Sequence, residues 1–182
     1  MYGLINRSIE GLITARYGAD RWRAVRARAG LADEPFVSMR SYDDSVTYAL
    51  VGAASAELEV PAEALLEAFG QYWTVNVAHA SYGDMLQHYG ATLPEFIGNL
   101  DAMHAQVAAA MPALVPPSFR VTERDGGVLV VEYRSSRAGL APMVVGLLQG
   151  LCVVFKTSHT VQLVRARTAA DEPDVFELHP SA

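Results

Sequence analysis

The chain has 182 residues, a formal net charge of −6 and a hydrophobic content of 51%. This length predicts one domain, or two small lobes that share a core, and such a domain is stable without disulfides. The single cysteine, Cys152, excludes an internal disulfide and a cysteine-rich zinc or iron–sulfur site. The acidic charge and the absence of a long basic run argue against a nucleic-acid partner.

The sequence predicts a cytoplasmic protein with no membrane partner. Its start lacks the basic segment, apolar core and small-residue cleavage site of a secretion signal. Its most apolar stretch, residues 140–155, is shorter than a membrane span and contains Pro142, Gly146 and Gly150. We therefore expect this stretch to form a buried helix.

The first half of the chain has helical periodicity. Ile5, Ile9, Leu12 and Ile13 form one apolar stripe, and Gly18 ends the helix that carries it. Four further helices are predicted over residues 20–29, 43–58, 61–77 and 81–89. The second of the five ends at a glycine C-cap, Gly30, and the fourth opens with Pro61.

A sixth helix is predicted after Thr92, which has capping-box spacing to Glu95. This helix carries His104 among apolar residues of helical period and stops at Pro112. Pro116 and Pro117 then predict an extended linker.

Strands dominate the last third of the sequence. A hairpin turn at residues 125–127 joins predicted strands 119–122 and 128–135. A helix over 140–150 and strands over 161–167 and 175–178 complete the chain. Helices followed by strands predict an α+β fold, with a helical lobe over about residues 1–60 and a lobe with an antiparallel sheet over 61–182.

His104 is the first candidate functional residue, because its imidazole lies on the same helical face as Ile97, Leu100, Val107 and Met111. An imidazole in apolar surroundings suits a proximal haem ligand. The alternative is a core histidine bonded to a nearby carbonyl. Solvated positions are expected for the other histidines.

Tyr133, Ser135 and Arg137 form the second candidate site. The two-residue period of a strand and its exit puts them on one face. A guanidinium fork and two hydroxyls suit a carboxylate or phosphate group. The alternative is an ordinary strand with a polar outer face.

Enzyme signatures are missing from the sequence. It contains no G-x-S-x-G, P-loop, H-E-x-x-H or G-x-G-x-x-G motif, and its carboxylates are scattered on helix faces and ends. We therefore expect a protein that is not an enzyme.

The chain resembles the haem-nitric oxide/oxygen binding family, which includes bacterial stand-alone sensors and the haem domain of soluble guanylate cyclase. The resemblance runs nearly end to end. It rests on MYGLIN at residues 1–6, YDD at 42–44, TYALVGAAS at 47–55, FG at 69–70, NLDAMH at 99–104, PPSF at 116–119 and YRSSR at 133–137, the last matching the family's Y-x-S-x-R signature.

The resemblance implies a single sensor domain over residues 1–182 that holds haem b between its two lobes. His104 matches the proximal iron ligand, and the propionate-binding residues match Tyr133, Ser135 and Arg137. Pro117 matches the proline that presses on the macrocycle, and Ile5 matches a residue that packs against the haem.

One departure from the family bears on gas selectivity. Oxygen-binding relatives place a tyrosine five residues after the signature arginine, where this chain has Pro142. Trp73 could lie near the distal pocket and offer an indole N–H, although packing is its favoured role. The resemblance therefore implies a nitric oxide sensor whose haem also binds carbon monoxide. The alternatives are an oxygen sensor or carrier, a haem-dependent enzyme such as a peroxidase, and a haem-free interaction domain.

The resemblance also implies how such a sensor signals. Binding of nitric oxide weakens the bond from iron to His104, and the lobes shift. The expected partner is a separate histidine kinase or cyclic-di-GMP enzyme, because 182 residues leave no room for an output domain.

Overall fold

The computed structural model describes residues 1–80, 83 and 88–181. Most of the helix predicted over 81–89 lies outside the described residues. The chain separates into two compact units, Met1–Phe69 and Gly70–Ala182. Its helices and antiparallel sheet confirm the α+β prediction.

The first unit consists of helices. They are α1 (Gly3–Tyr17), α2 (Ala19–Arg28), α3 (Asp44–Leu58) and most of α4 (Ala62–Tyr72). The predicted break between α1 and α2 is confirmed at Gly18, whose φ of 90° favours glycine. Asp43 caps α3 by accepting a hydrogen bond from the backbone N of Ser45 at 2.8 Å.

Apolar side chains from α1, α2 and α3 fill the core of this unit. The buried set includes Ile9, Leu12, Ile13, Trp22, Val25 and Leu50. A buried polar contact joins α1 to α3, since Thr47 Oγ1 donates to Asn6 Oδ1 at 2.7 Å. Pairing of this kind offsets the cost of burying polar groups.

The second unit contains a four-stranded antiparallel sheet in the order β1-β2-β4-β3. The strands are β1 (Ser118–Arg124), β2 (Val128–Arg134), β3 (His159–Arg165) and β4 (Asp174–Pro180). The predicted hairpin is confirmed, with the turn at Asp125–Gly127.

Three helices of the second unit are α5 (Leu93–Gly98), α6 (Leu100–Ala110) and α7 (Ala141–Val154). Side chains from α5, α7, β2 and β4 form one apolar core, which includes Leu93, Phe96, Ile97, Val131, Val144, Leu148, Phe176 and Leu178. No helix in the described ranges is long and apolar enough to cross a membrane.

Two predicted helices differ from the observed ones. The helix predicted to run from Thr92 to Pro112 is interrupted at Asn99, whose φ of −101° and ψ of 3° are not helical. The Asn99 side chain donates to the backbone oxygen of Tyr89 at 2.8 Å. The predicted fourth helix, 61–77, is α-helical only to Tyr72 and continues as a π-helix over Trp73–His79.

Candidate functional site

The π-helix packs closely against α7. A Cβ atom on Gly70 would lie 2.1 Å from the backbone oxygen of Met143 and 2.7 Å from the backbone N of Leu147. A Cβ on Gly150 would lie 2.7 Å from Cβ of Thr74, whose hydroxyl donates to the Gly70 carbonyl at 3.1 Å. Only glycine permits this approach, so these glycines set the position of α7 against the π-helix.

Trp73 and Pro142 lie at the ends of these two packed elements. Trp73 is half-buried and begins the π-helix. Pro142 lies in the first turn of α7, where its missing N–H leaves no helical hydrogen bond unmade. Proline therefore fits this position structurally, and it has no hydroxyl to donate.

His104 lies in the middle of α6 and is half-buried. Its Nδ1 is buried and has no hydrogen-bond partner within the described part of the chain. Burial lowers the pKa of His104, while the Pro117 backbone and the Asp101 carboxylate act in the opposite direction. At neutral pH the ring is therefore neutral, which is the form that binds metals.

Asp101, one turn before His104, connects α6 to the start of β1. Its two carboxylate oxygens accept hydrogen bonds from Ser118 Oγ at 2.7 Å and from the backbone N of Phe119 at 2.8 Å. Ser118 directly follows Pro117 in the chain. Asp101 therefore links α6 to β1 at the end of the proline linker through two hydrogen bonds.

Phe119 contacts one residue from each of the two predicted groups of site residues. Its ring centroid is 6.1 Å from that of His104 and 5.2 Å from that of Tyr133. These separations are typical of aromatic contacts. The fold thus brings His104 and Tyr133 into contact with the same aromatic ring.

Tyr133, Ser135 and Arg137 lie together where β2 ends. Tyr133 is 4% exposed; burial raises the pKa of its phenol, and a hydrogen bond with Ser135 lowers it. Ser135 Oγ accepts from the backbone N of Arg137 at 3.1 Å. The Arg137 guanidinium donates to the backbone oxygen of Val115 at 2.8 Å. This contact ties the arginine to the residue that precedes the two linker prolines.

Arg167 and Asp174 also lie at this site and were not identified from the sequence. The Arg167 guanidinium donates to the backbone oxygens of Ser135 and Arg137. Its backbone N donates to Asp174 Oδ1 at 2.9 Å, and its Nε lies 4.0 Å from Asp174 Oδ2. No local pattern distinguishes Arg167 from other charges near a turn, because the carbonyls that it contacts are 32 and 30 residues earlier in the chain.

Ile5 and Pro117 complete the predicted set of residues. Ile5 is half-buried on α1 of the Met1–Phe69 unit. Pro117 immediately precedes β1 in the Gly70–Ala182 unit. Both positions remain predictions as haem contacts.

Solved H-NOX structures share the fold of this chain. An H-NOX protein from S. oneidensis in the Fe(II)NO ligation state superimposes with a TM-score of 0.87 at 20% identity, covering 100% of both chains. An unliganded Fe(II) H-NOX protein from K. algicida gives a TM-score of 0.85 at 23% identity, covering 100% of this chain and 97% of that one. The fold is therefore the H-NOX fold.

Sequence relatives identify the family. The model of the haem-NO-binding family matches residues 2–163, and the chain belongs to this family of haem-binding gas sensors. Soluble guanylate cyclase gcy-31 of Caenorhabditis elegans is 27% identical over 90% of this chain and 24% of its own length. The beta-2 subunit of soluble guanylate cyclase from Rattus norvegicus is 38% identical over 51% and 14%. The chain thus spans about a quarter or less of these relatives.

The side chains at the site fit a haem. A haem takes an axial ligand such as a neutral imidazole, and its two carboxylates accept hydrogen bonds from cations and hydroxyls. The half-buried imidazole of His104, whose Nδ1 has no hydrogen-bond partner among the residues that the structure describes, is a group that can serve as the axial ligand. The hydroxyls of Tyr133 and Ser135 and the guanidinium of Arg137 are groups that can donate hydrogen bonds to the two carboxylates. Within the described residues, no three His, Cys, Asp or Glu side chains form a group that could hold a metal ion.

Proposed function

We propose that this chain senses nitric oxide at ferrous haem, with His104 as the proximal ligand. Membership of the haem-NO-binding family supports haem binding. The observation that carries the assignment of the ligand is the neutral imidazole of His104, whose buried Nδ1 has no partner among the described residues. Bound ferrous haem supplies the iron at which nitric oxide and carbon monoxide bind.

The bound group is haem b in this proposal, held without covalent attachment. A c-type attachment uses two cysteines in a C-x-x-C-H motif, and Cys152 is the only cysteine of the chain. Tyr133, Ser135 and Arg137 bind the propionates. In this proposal Pro117 presses on the macrocycle and Ile5 packs against it. Residues 1–182 are proposed to form a single sensor domain.

His104 is the residue that transmits the signal. If His104 held the iron, its release would free α6, which is tied through Asp101 to Ser118 and Phe119 at the start of β1. Movement of the helix is therefore passed to the sheet through hydrogen bonds that a carboxylate strengthens. A local bond change of this kind can drive a larger rearrangement when the packing has two stable arrangements.

The signal passes to a separate protein in this proposal. In this proposal the partner is a histidine kinase or a cyclic-di-GMP enzyme, the chain has no nucleic-acid or membrane partner, and it acts in the cytoplasm. The affinity of the ferrous protein for a candidate kinase, measured with and without nitric oxide, tests the proposed partner. An affinity that is independent of the gas would count against a signalling complex.

We expect the reduced protein to bind nitric oxide and carbon monoxide but to form no stable complex with oxygen. Bound oxygen needs a hydrogen-bond donor more than nitric oxide does, and Pro142 has no hydroxyl. Such a donor contributes about 0.5–1.5 kcal/mol in ordinary contexts and more in a dry pocket. The measurement is the absorption spectrum of the reduced protein under each gas.

The second candidate function, an oxygen sensor or carrier, is tested in the same experiment. The Trp73 indole offers an N–H donor at the start of the π-helix. A persistent oxygen-dependent spectrum that disappears in Trp73→Phe would favour this alternative. The same variant should leave the nitric oxide and carbon monoxide spectra unchanged.

Arg137→Ala should accelerate haem loss by about tenfold or more, because a charge-assisted hydrogen bond contributes about 1.5–3 kcal/mol and about 1.4 kcal/mol is a factor of ten. Ser135→Ala should have a smaller effect, since a neutral hydroxyl donates a weaker bond. The measurement is the rate of haem transfer to an excess of an acceptor apoprotein. Unchanged rates in both variants would contradict the propionate role.

A further inference from the structure

We propose that Arg167 is a positioning residue that fixes the backbone of the loop carrying Ser135 and Arg137, and that Asp174 holds Arg167 in place. The inference rests on the proposed propionate role of that loop. Neither Arg167 nor Asp174 lies within the residues matched by the family model, which ends at residue 163. Their role is therefore inferred from contacts in this chain alone.

The loop begins after β2 ends at Arg134, so Ser135 and Arg137 lie outside the paired strand. The backbone oxygens of Ser135 and Arg137 accept hydrogen bonds from the two Nη groups of Arg167. One guanidinium therefore holds the loop at both signature residues. These hydrogen bonds fix the backbone of Ser135 and Arg137, and therefore the positions from which the two side chains extend.

Arg167 is itself held from the opposite side. Its side chain is 14% exposed and that of Asp174 is 7% exposed, with Nε 4.0 Å from Oδ2. The backbone N of Arg167 also donates to Asp174 Oδ1 at 2.9 Å. A charge buried to this extent needs a partner, so Asp174 stabilises the cation that holds the loop.

The register of the sheet explains how these residues meet. Asp174 is the first residue of β4 and pairs directly with Tyr133 of β2. Arg167 follows the end of β3, which pairs with β4. With β4 between them, β2 and β3 therefore end at the same edge of the sheet.

The geometry requires an arginine at this position. Its planar fork presents separate N–H groups to two carbonyls while Nε faces the carboxylate. A lysine keeps the charge but has one compact ammonium, which cannot reproduce this three-way contact. Arg167→Lys is therefore the decisive variant, because it preserves the buried charge pair. Arg165→Lys is the matched control, since Arg165 is exposed at the end of β3.

The first test measures amide hydrogen exchange at residues 135–138 in the haem-free protein. Arg167→Lys should accelerate exchange in this loop by about tenfold, as the loss of one charge-assisted hydrogen bond allows, whereas Arg165→Lys should not. This readout does not depend on haem. Unchanged exchange in Arg167→Lys would overturn the proposal.

The second test measures haem transfer from Arg167→Lys, Arg137→Ala and the double variant to an acceptor apoprotein. Each single variant should release haem faster, and the double variant should release it no faster than Arg137→Ala, because Arg167 acts through the loop. Additive effects would show an independent role for Arg167 and overturn its role as a positioning residue. The proposal is also overturned if Arg137→Ala releases haem faster while Arg167→Lys does not, even though amide exchange in the loop of Arg167→Lys is faster. If Arg137→Ala has no effect on release, the proposed propionate role fails, and with it the purpose assigned to Arg167.

Discussion

Replacing His104 with glycine is expected to leave a folded protein that has lost its ligand to iron. The side chain is half-buried, and its Nδ1 has no partner among the described residues, so no hydrogen bond to that atom is lost. Haem affinity should fall by more than the roughly 10- to 100-fold that changes to groups supporting a metal ligand produce. Added imidazole should occupy the vacated space and restore the five-coordinate ferrous spectrum.

Ala105→Gly is the matched control for this experiment. Ala105 is exposed on the same helix, and the substitution carries a helix-propensity cost of about 1 kcal/mol without removing an imidazole. The control should keep the wild-type spectrum. If His104→Gly also keeps that spectrum in the absence of imidazole, another residue is the ligand.

Among the single substitutions proposed for this chain, Gly70→Ala should lower the free energy of unfolding the most. The added Cβ would lie 2.1 Å from the backbone oxygen of Met143 and 2.7 Å from the backbone N of Leu147. Backbone atoms inside α7 cannot turn away as a flexible side chain can, so the helices must separate. Overpacking of a core costs about 1–3 kcal/mol and occasionally more. Urea unfolding of the purified protein measures the change.

Gly52→Ala provides the opposite expectation within the same chain. Gly52 is an exposed residue of α3, and a Cβ added there would meet no atom within 4 Å outside its own local backbone. Alanine there should raise the free energy of unfolding by about 0.5–1 kcal/mol, because glycine loses more backbone entropy on folding. Equal effects at Gly52 and Gly70 would contradict the close approach of α7 to the helix that carries Gly70.

Signals contained within a few residues predicted local structure well. The capping box at Thr92 and Glu95 is present, with both reciprocal contacts. The glycine break at Gly18 and the hairpin turn at Asp125–Gly127 also lie where expected. Each of these features depends on backbone conformation or hydrogen bonds inside one short segment, so the sequence contains all the information needed.

Features that depend on distant contacts were not predicted. The interruption at Asn99 is accompanied by a hydrogen bond to Tyr89, and the π-helix places Thr74 against Gly150 of α7. Helical periodicity alone cannot indicate either feature, because an apolar stripe continues through both segments. Tertiary packing overrides local propensity at such positions.

The sequence by itself determined the α+β class, the family resemblance and the candidate residues His104, Tyr133, Ser135 and Arg137, because these follow from short motifs and the order of helices and strands. Only the tertiary structure decided which other residues support them. Asp101 reaches Ser118 across the proline linker, and Arg167 reaches the loop after β2 because β4 lies between β2 and β3. Hydrogen bonds between residues 17 to 32 positions apart are set by topology, and no local pattern contains that information.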